Sequence, residues 1–233
     1  MSGTGPFTEE CVEAARRPWT PRRGPRATSR LRLFRSFVPE HLIFAGHPAL
    51  PFLLVTPAIG WLLEAAPRNA WAPALVALGA LTWTLVEYAM HRWLFHFPSR
   101  RDPGKVTTFI VHGHHHVSPR EPSRLAATPV QIGSLALLML GVFQLTLGAG
   151  WSMAMVGFLA AYLAYEAVHH IAHHGRPRSR LLRAIRRHHL SHHYEHVGRA
   201  AWGISSPLWD WVFGTVRPRA DAPRAERAAA PPR

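Results

Sequence analysis

Residues 151–174 read Trp-Ser-Met-Ala-Met-Val-Gly-Phe-Leu-Ala-Ala-Tyr-Leu-Ala-Tyr-Glu-Ala-Val-His-His-Ile-Ala-His-His, and residues 186–196 read Arg-Arg-His-His-Leu-Ser-His-His-Tyr-Glu-His. An apolar run to about Ala167 leads directly into histidine, and an Arg-rich link leads into more. Nine of the seventeen histidines lie between Val168 and His196. On a helix, residues three or four apart share a face. His169 and His173 therefore stack, and His189, His192 and His193 form a triplet of the same kind. Such spacing suits ligands that point at one place.

Two groups upstream extend the set. His91-Arg-Trp-Leu-Phe-His96 holds two histidines five apart. Five residues is about 140° around an α-helix, so both face one metal only if the helix ends between them. Phe97-Pro98 follows, and proline supplies such an ending. His112-Gly-His-His-His116 repeats the i, i+3, i+4 pattern in His112, His115 and His116.

Four apolar runs separate these groups, at about 42–63, 71–95, 129–148 and 151–167. A membrane helix needs about 20 such residues. Pro51 and Pro57 are expected to kink the first run, and Gly148-Ala-Gly150 to turn the third into the fourth as a hairpin. The net charge is +14, and 26 of the 27 Lys and Arg fall in residues 1–40, 91–128 and 175–233. With four spans, those three segments share one side. The positive-inside rule makes that side cytoplasmic, together with both termini and all three histidine groups. The expected fold is all-α: an integral membrane bundle of about four transmembrane helices with a cytoplasmic, histidine-rich dimetal cap. The competing picture is a soluble core of buried helices. The expected organisation is a disordered basic tail with a possible interfacial segment over 1–40, a membrane domain over 41–215, and a disordered tail over 216–233.

Basic residues flank apolar runs instead of lining an aromatic-studded groove, so nucleic-acid binding is not expected. Cys11 is the only cysteine. It allows no intrachain disulfide and no Cys-based zinc or iron–sulfur site, and reads as an incidental thiol in the tail.

Imidazole suits zinc, iron, copper and nickel. Ten positions fit a facing geometry: His91, His96, His112, His115, His116, His169, His173, His189, His192 and His193. One ion cannot use ten nitrogens. Two can take about five each, or four with an open position for substrate or water. His170 and His174 are also four apart, so spacing alone does not exclude them; His114 and His188 likewise neighbour better candidates. His41, His47 and His196 read as isolated. Metal storage and pH sensing are the bland alternatives, but a storage tract is repetitive and lies in one place. Glu87, Glu166, Glu195 and Asp210 are candidates for orienting ligand rings from a second layer. Trp83, Tyr88, Trp93, Tyr162 and Tyr165 are aromatics on the substrate's path or membrane anchors.

Residues 87–215 resemble the fatty acid hydroxylase / sterol desaturase superfamily of membrane oxygenases. His91-x4-His96, His112-x2-His115-His116 and His189-x2-His192-His193 match its boxes in order and spacing. His112-Gly-His-His-His-Val-Ser-Pro119, Tyr165-Glu-Ala-Val-His169 and Gly203-Ile-Ser-Ser-Pro-Leu-Trp-Asp-Trp-Val-Phe-Gly-Thr215 are most similar to the ceramide-type fatty acid 2-hydroxylases. Glu166 and Glu121 stand where that branch has Asp. The resemblance puts the metal ligands on the ten histidines above, favouring His169 and His173 over His170 and His174. It implies two metal ions, iron in the active enzyme and zinc as an isolated form. It also implies O2-dependent hydroxylation of a long acyl lipid at C2, with electrons from another protein. About forty residues precede the first span, too few for the haem domain fused to many relatives. The alternatives are a sterol or carotenoid hydroxylase or desaturase of the same superfamily, and a non-enzymatic metal-binding membrane protein. The expected location is a bacterial inner membrane.

Overall fold

Helix α7 (Trp151–His174) is the axis of the molecule, and three apolar helices pack around it: α2 (Leu50–Ala65), α3 (Ala72–Ala89) and α6 (Pro129–Leu147). A computed structural model describes residues 5–21, 30–43, 46–66 and 70–216. The remaining helices among these are α1 (Glu9–Arg16), α4 (Asp102–Thr108), α5 (His114–Val117), α8 (Arg180–Tyr194) and α9 (Leu208–Val212). No strand occurs among the described residues, which agrees with the all-α expectation.

The apolar helices form where the hydropathy predicts, and local chemistry sets their ends. Thr128 and Gln131 exchange side-chain bonds with each other's backbone N–H, a capping box that starts α6. Gly148, at φ +52, turns α6 into α7. The first apolar run departs from the expectation. It divides into a π turn at Pro39–Ile43 and a 16-residue helix α2. Pro51 falls in the first turn of α2, where its missing N–H leaves no bond unmade, and only Pro57 is interior.

Two glycines set how closely the central pair approaches. A Cβ on Gly79 of α3 would lie 1.8 Å from Ala154 O, and one on Gly157 of α7 would lie 1.9 Å from Val76 O. The two backbones touch where neither residue has a side chain, which is how small residues pack apolar helices tightly. The core around this contact is Trp83, Phe143, Phe158 and Tyr162, with Trp83 edge-on to both Phe158 and Tyr162.

Two stretches are long and apolar enough to cross a membrane, Ala72–Phe95 and Pro122–His174, the second containing both α6 and α7 with the Gly148 turn between them. Their outer faces, with α2, expose large apolar side chains: Leu53, Trp61, Leu81, Leu137, Leu138 and Leu145.

The N-terminal region corrects the expectation of a disordered tail. Thr8 caps α1 by accepting a bond from Cys11 N–H, and Cys11 is fully buried. Burial, with lesser help from Glu40, pushes its thiol up to about 12, so it stays protonated. Leu31, Leu33 and Phe34 pack against α1, and Thr8 N–H donates to Leu33 O. Glu40 sits beneath them, accepting from the N–H groups of Leu33 and Phe34 and pairing with the buried Arg124. Composition missed this because eight basic residues mask a short apolar set that only folding-back brings together. The expected C-terminal tail beyond Val216 lies outside the described residues.

Candidate metal centre

The helical spacing sorts the histidines, but not as single triplets. One set comprises His91, His96, His112, His116 and His192; the other comprises His115, His169, His173, His189 and His193. Within each set the facing nitrogens lie within 4.8 Å of one another. Each i, i+3, i+4 box divides two to one. Residues four apart share a set (His112 with His116, His189 with His193), while His115 and His192 go to the other. Adjacent residues point about 100° apart, so His115 and His116 address two neighbouring points. The His116 and His193 rings stack 4.2 Å apart and join the sets. The resemblance's ten positions are the ten brought together. His170 and His174 stack on each other outside both sets.

His91 and His96 meet for a reason opposite to the one expected. The helix does not end between them. It changes to π winding over Met90–Phe95, with His96 as its cap. A π turn bonds i to i+5 and brings residues five apart to one side. A second π segment, Phe109–Gly113, contains His112.

The inward atoms are all Nε2. His91 lies 3.2 Å from His112, His116 lies 3.0 Å from His112 and from His96, and His192 lies 3.1 Å from His96. In the other set, His169 is 3.1 Å from His115, and His189 is 2.7 Å from His173 and 3.1 Å from His193. These spacings fit a metal. With metal–nitrogen bonds of about 2.0–2.1 Å, neighbouring ligands at right angles sit about 3 Å apart. Burial holds His112, His116, His189, His192 and His193 well below the ordinary value of 6.5, with the neighbouring rings adding to it. Neutral rings present lone pairs, as ligation requires.

Two rings are oriented from behind by main chain: His91 Nδ1 faces Trp202 O at 2.6 Å, and His192 Nδ1 faces Ala200 O at 2.9 Å. A proton on Nδ1 leaves Nε2 free to bind. The carboxylates act one layer further out than expected. Asp210 accepts from Trp202 N–H (2.9 Å), Gly203 N–H (2.8 Å) and Thr215 Oγ1 (2.8 Å), and lies 3.2 Å from His188. Glu87 accepts from Ile204 and Ser205. Together they fix the segment whose carbonyls hold His91 and His192. Glu166 accepts from Tyr162 Oη and Ala127 N–H, tying α7 to the start of α6. Glu195 lies beside His196 at the exposed end of α8. Replacing Asp210 with Asn sets an amide donor against backbone donors. A loss of metal affinity of roughly 10- to 100-fold is expected, measured by chelator competition; unchanged affinity would remove Asp210 from this role.

An apolar cavity of about 600 Å³ reaches the histidines from between α3, α6 and α7. Val86, Met90, Ile132, Leu135, Leu138 and Met139 line it, as do Trp83, Tyr162 and Tyr165, and its inner end meets His91, His112, His115 and His169. Of the aromatics singled out in the sequence, Tyr88 and Trp93 lie away from it and contact each other and Phe213. Sequence reasoning missed Trp19 and Trp202. Trp19 lies 5.2 Å from the His96 ring and 5.7 Å from His116, and Trp202 lies 5.0 Å from His96. No spacing signal marks either one.

Helices here bring two five-histidine sets, each able to hold a metal ion, to the end of an apolar cavity. The fatty acid hydroxylase family model matches residues 76–215, and the chain belongs to that family. It is 34% identical over 143 residues to Dihydroceramide fatty acyl 2-hydroxylase FAH2 of Arabidopsis thaliana, covering 61% of this chain and 60% of that one. It is 32% identical over 200 residues to Fatty acid 2-hydroxylase of Homo sapiens, covering 82% of this chain and 46% of that one. The chain thus spans about half to three fifths of the length of these relatives. The structure of full-length scs7p, with only the hydroxylase domain visible, is similar with a TM-score of 0.74 and 28% identity, over 94% of this chain and 83% of that one.

Proposed function

We propose that the protein is a membrane-bound dimetal oxygenase that hydroxylates a long-chain fatty acyl lipid at C2. The observation that carries this is the meeting of two five-histidine sets with the inner end of a 600 Å³ apolar cavity. The relatives' names, fatty acid 2-hydroxylase and dihydroceramide fatty acyl 2-hydroxylase, support the acyl substrate and the carbon.

The ten histidines would hold two metal ions, five to each; iron is proposed for the active enzyme, since zinc cannot reduce O2. When bound, a redox-active pair supplies the means to activate O2 against an unactivated C–H bond. The chain's own work is placement. The apolar wall from Val86 to Met139 takes the acyl chain out of water and directs its head-proximal carbons to His91, His112, His115 and His169. Trp202 O and Ala200 O hold two rings in the ligating tautomer. The low polarity of the cavity keeps bulk water from the reacting carbon. Electrons come from a separate protein.

The membrane arrangement is part of the proposal: α2, α3, α6 and α7 as four spans, with the histidines and both termini on the cytoplasmic side of a bacterial inner membrane. At 1.5 Å per residue the 19 residues of α6 span about 29 Å, close to the hydrocarbon thickness. Leucines facing outward from α2, α3 and α6 support lipid contact in place of a soluble core. We also propose residues 41–215 as the hydroxylase domain.

The test is lipid mass spectrometry of a bacterial host expressing the wild type or a His115→Ala/His192→Ala variant. The expected result is a gain of about 16 Da, one oxygen atom, on acyl chains in the wild type alone, located at C2 by fragmentation. A loss of two hydrogens, or a modified isoprenoid, would move the protein to another branch of its superfamily. Met139→Trp, at a buried position of the cavity wall, is expected to shift products toward shorter acyl chains by about a helical turn's depth or more; an unchanged chain-length profile would place the acyl chain elsewhere.

A further inference from the structure

A second cavity, of about 690 Å³, reaches the histidines at different residues, His96 and His193. No residue of α2, α6 or α7 contributes to it. Its wall comes from the N-terminal region, the turn after His96 and the segment after α8. Arg16, Arg17, Arg92, Lys105 and Arg199 line it, with no carboxylate among its lining residues. Asp102 and Glu13 stand outside at the surface, Asp102 paired to Arg16 and Lys105 and Glu13 to Arg17, while no ion pair joins Arg92 or Arg199 to a carboxylate among the described residues. Such exposed pairs are weak and salt-screened. Trp93 (52% exposed) and Tyr194 (47% exposed) are among its other lining residues, and Trp19 contacts the His96 and His116 rings.

We propose that this cationic cleft is the docking surface for an acidic one-electron carrier protein, with Trp19 as the contact between carrier and histidines. The proposal rests on the hydroxylase reading above. That reaction puts one atom of O2 into a C–H bond and reduces the other to water. It takes two electrons and two protons from outside, so a one-electron carrier must dock twice per turnover. The cavity between α3, α6 and α7 is apolar and opens among the bundle helices, where a charged protein has no access. The cleft opens on the other face, and its mixture of arginine, tryptophan and tyrosine is that of protein contact sites. A wall of one charge draws an oppositely charged partner and sets its approach. A ring against two histidines shortens the distance between a docked carrier and the site.

The test uses the iron-loaded full chain in nanodiscs of phosphatidylcholine, with an acidic plant-type [2Fe–2S] ferredoxin as probe. Arg17→Glu/Arg199→Glu reverses two exposed charges and leaves the histidines untouched. The expected result is ferredoxin binding by the wild type that weakens with salt, and affinity about tenfold or more lower in the variant at low ionic strength. Single-turnover hydroxylation after dithionite reduction should be the same in both. Equal affinity in the two, no salt dependence, or no binding by the wild type would overturn the proposal. A parallel arm uses nanodiscs containing phosphatidylglycerol. If the variant loses enrichment of that lipid while ferredoxin affinity is unchanged, the cleft is a headgroup surface and the proposal fails. Absence of dithionite-driven hydroxylation in the wild type would instead overturn the hydroxylase reading, whatever the binding result.

Discussion

Replacing His116 or His193 with alanine is expected to remove one metal ion from the protein and nearly all of its activity. His116 belongs to the set containing His91, and His193 to the set containing His169. Each is fully buried, and their rings stack at the join between the sets. Losing one of five nitrogens leaves a buried position that neither side chain nor water fills equivalently. Even partners behind a ligand are worth about 10- to 100-fold in affinity or activity, so loss of a ligand should cost at least about 100-fold in turnover. Elemental analysis should fall from about two ions per chain to about one in either single variant. His170→Ala is the control, because His170 stacks on His174 outside both sets. It should keep both ions and most activity. Two ions retained in His193→Ala, or one lost in His170→Ala, would reject the division into two sets of five.

The largest effect on stability is expected from Gly157→Ala. The added methyl would lie 1.9 Å from Val76 O and 2.7 Å from Val76 C. Both are backbone atoms, so no rotamer change relieves the contact and α3 must move away from α7. Overpacking costs about 1–3 kcal/mol where side chains can adjust, and more is expected where they cannot. Separation of α3 from α7 would also displace His91 from His169, coupling the stability loss to the metal centre. Gly141→Ala in α6 is the matched comparison, since its Cβ meets nothing within 4 Å. Alanine there should be neutral or stabilise by about 0.5–1 kcal/mol, as expected for Gly to Ala in a helix interior. Thermal unfolding in detergent, read with the amount of protein recovered, distinguishes the two. A Gly157→Ala protein as stable as wild type would show that the close approach is not required.

The histidine spacings carried the site in the sequence itself. Periodicity is a local property, so His112 with His116 and His189 with His193 were set to share a face once those segments were helical. The apolar runs likewise marked α3, α6 and α7, because burial and lipid contact both demand continuous apolar composition. Three features needed the tertiary structure. Which set each histidine joins depends on where two helices cross, and so the i+3 members His115 and His192 fall in the set opposite to their neighbours. The π winding that joins His91 to His96 is a choice of hydrogen-bond register that composition does not encode. The N-terminal region holds Trp19 against His96 and His116 through contacts between residues far apart in the chain, such as Glu40 with Arg124. The histidine spacing and the apolar runs were legible from composition and periodicity alone, with four of the ten histidines at or just past the ends of apolar helices. How the ten histidines divide, and which backbone carbonyls hold their rings, depends on how the helices pack. Ligand spacing is set within one helix, whereas a coordination sphere is closed by several.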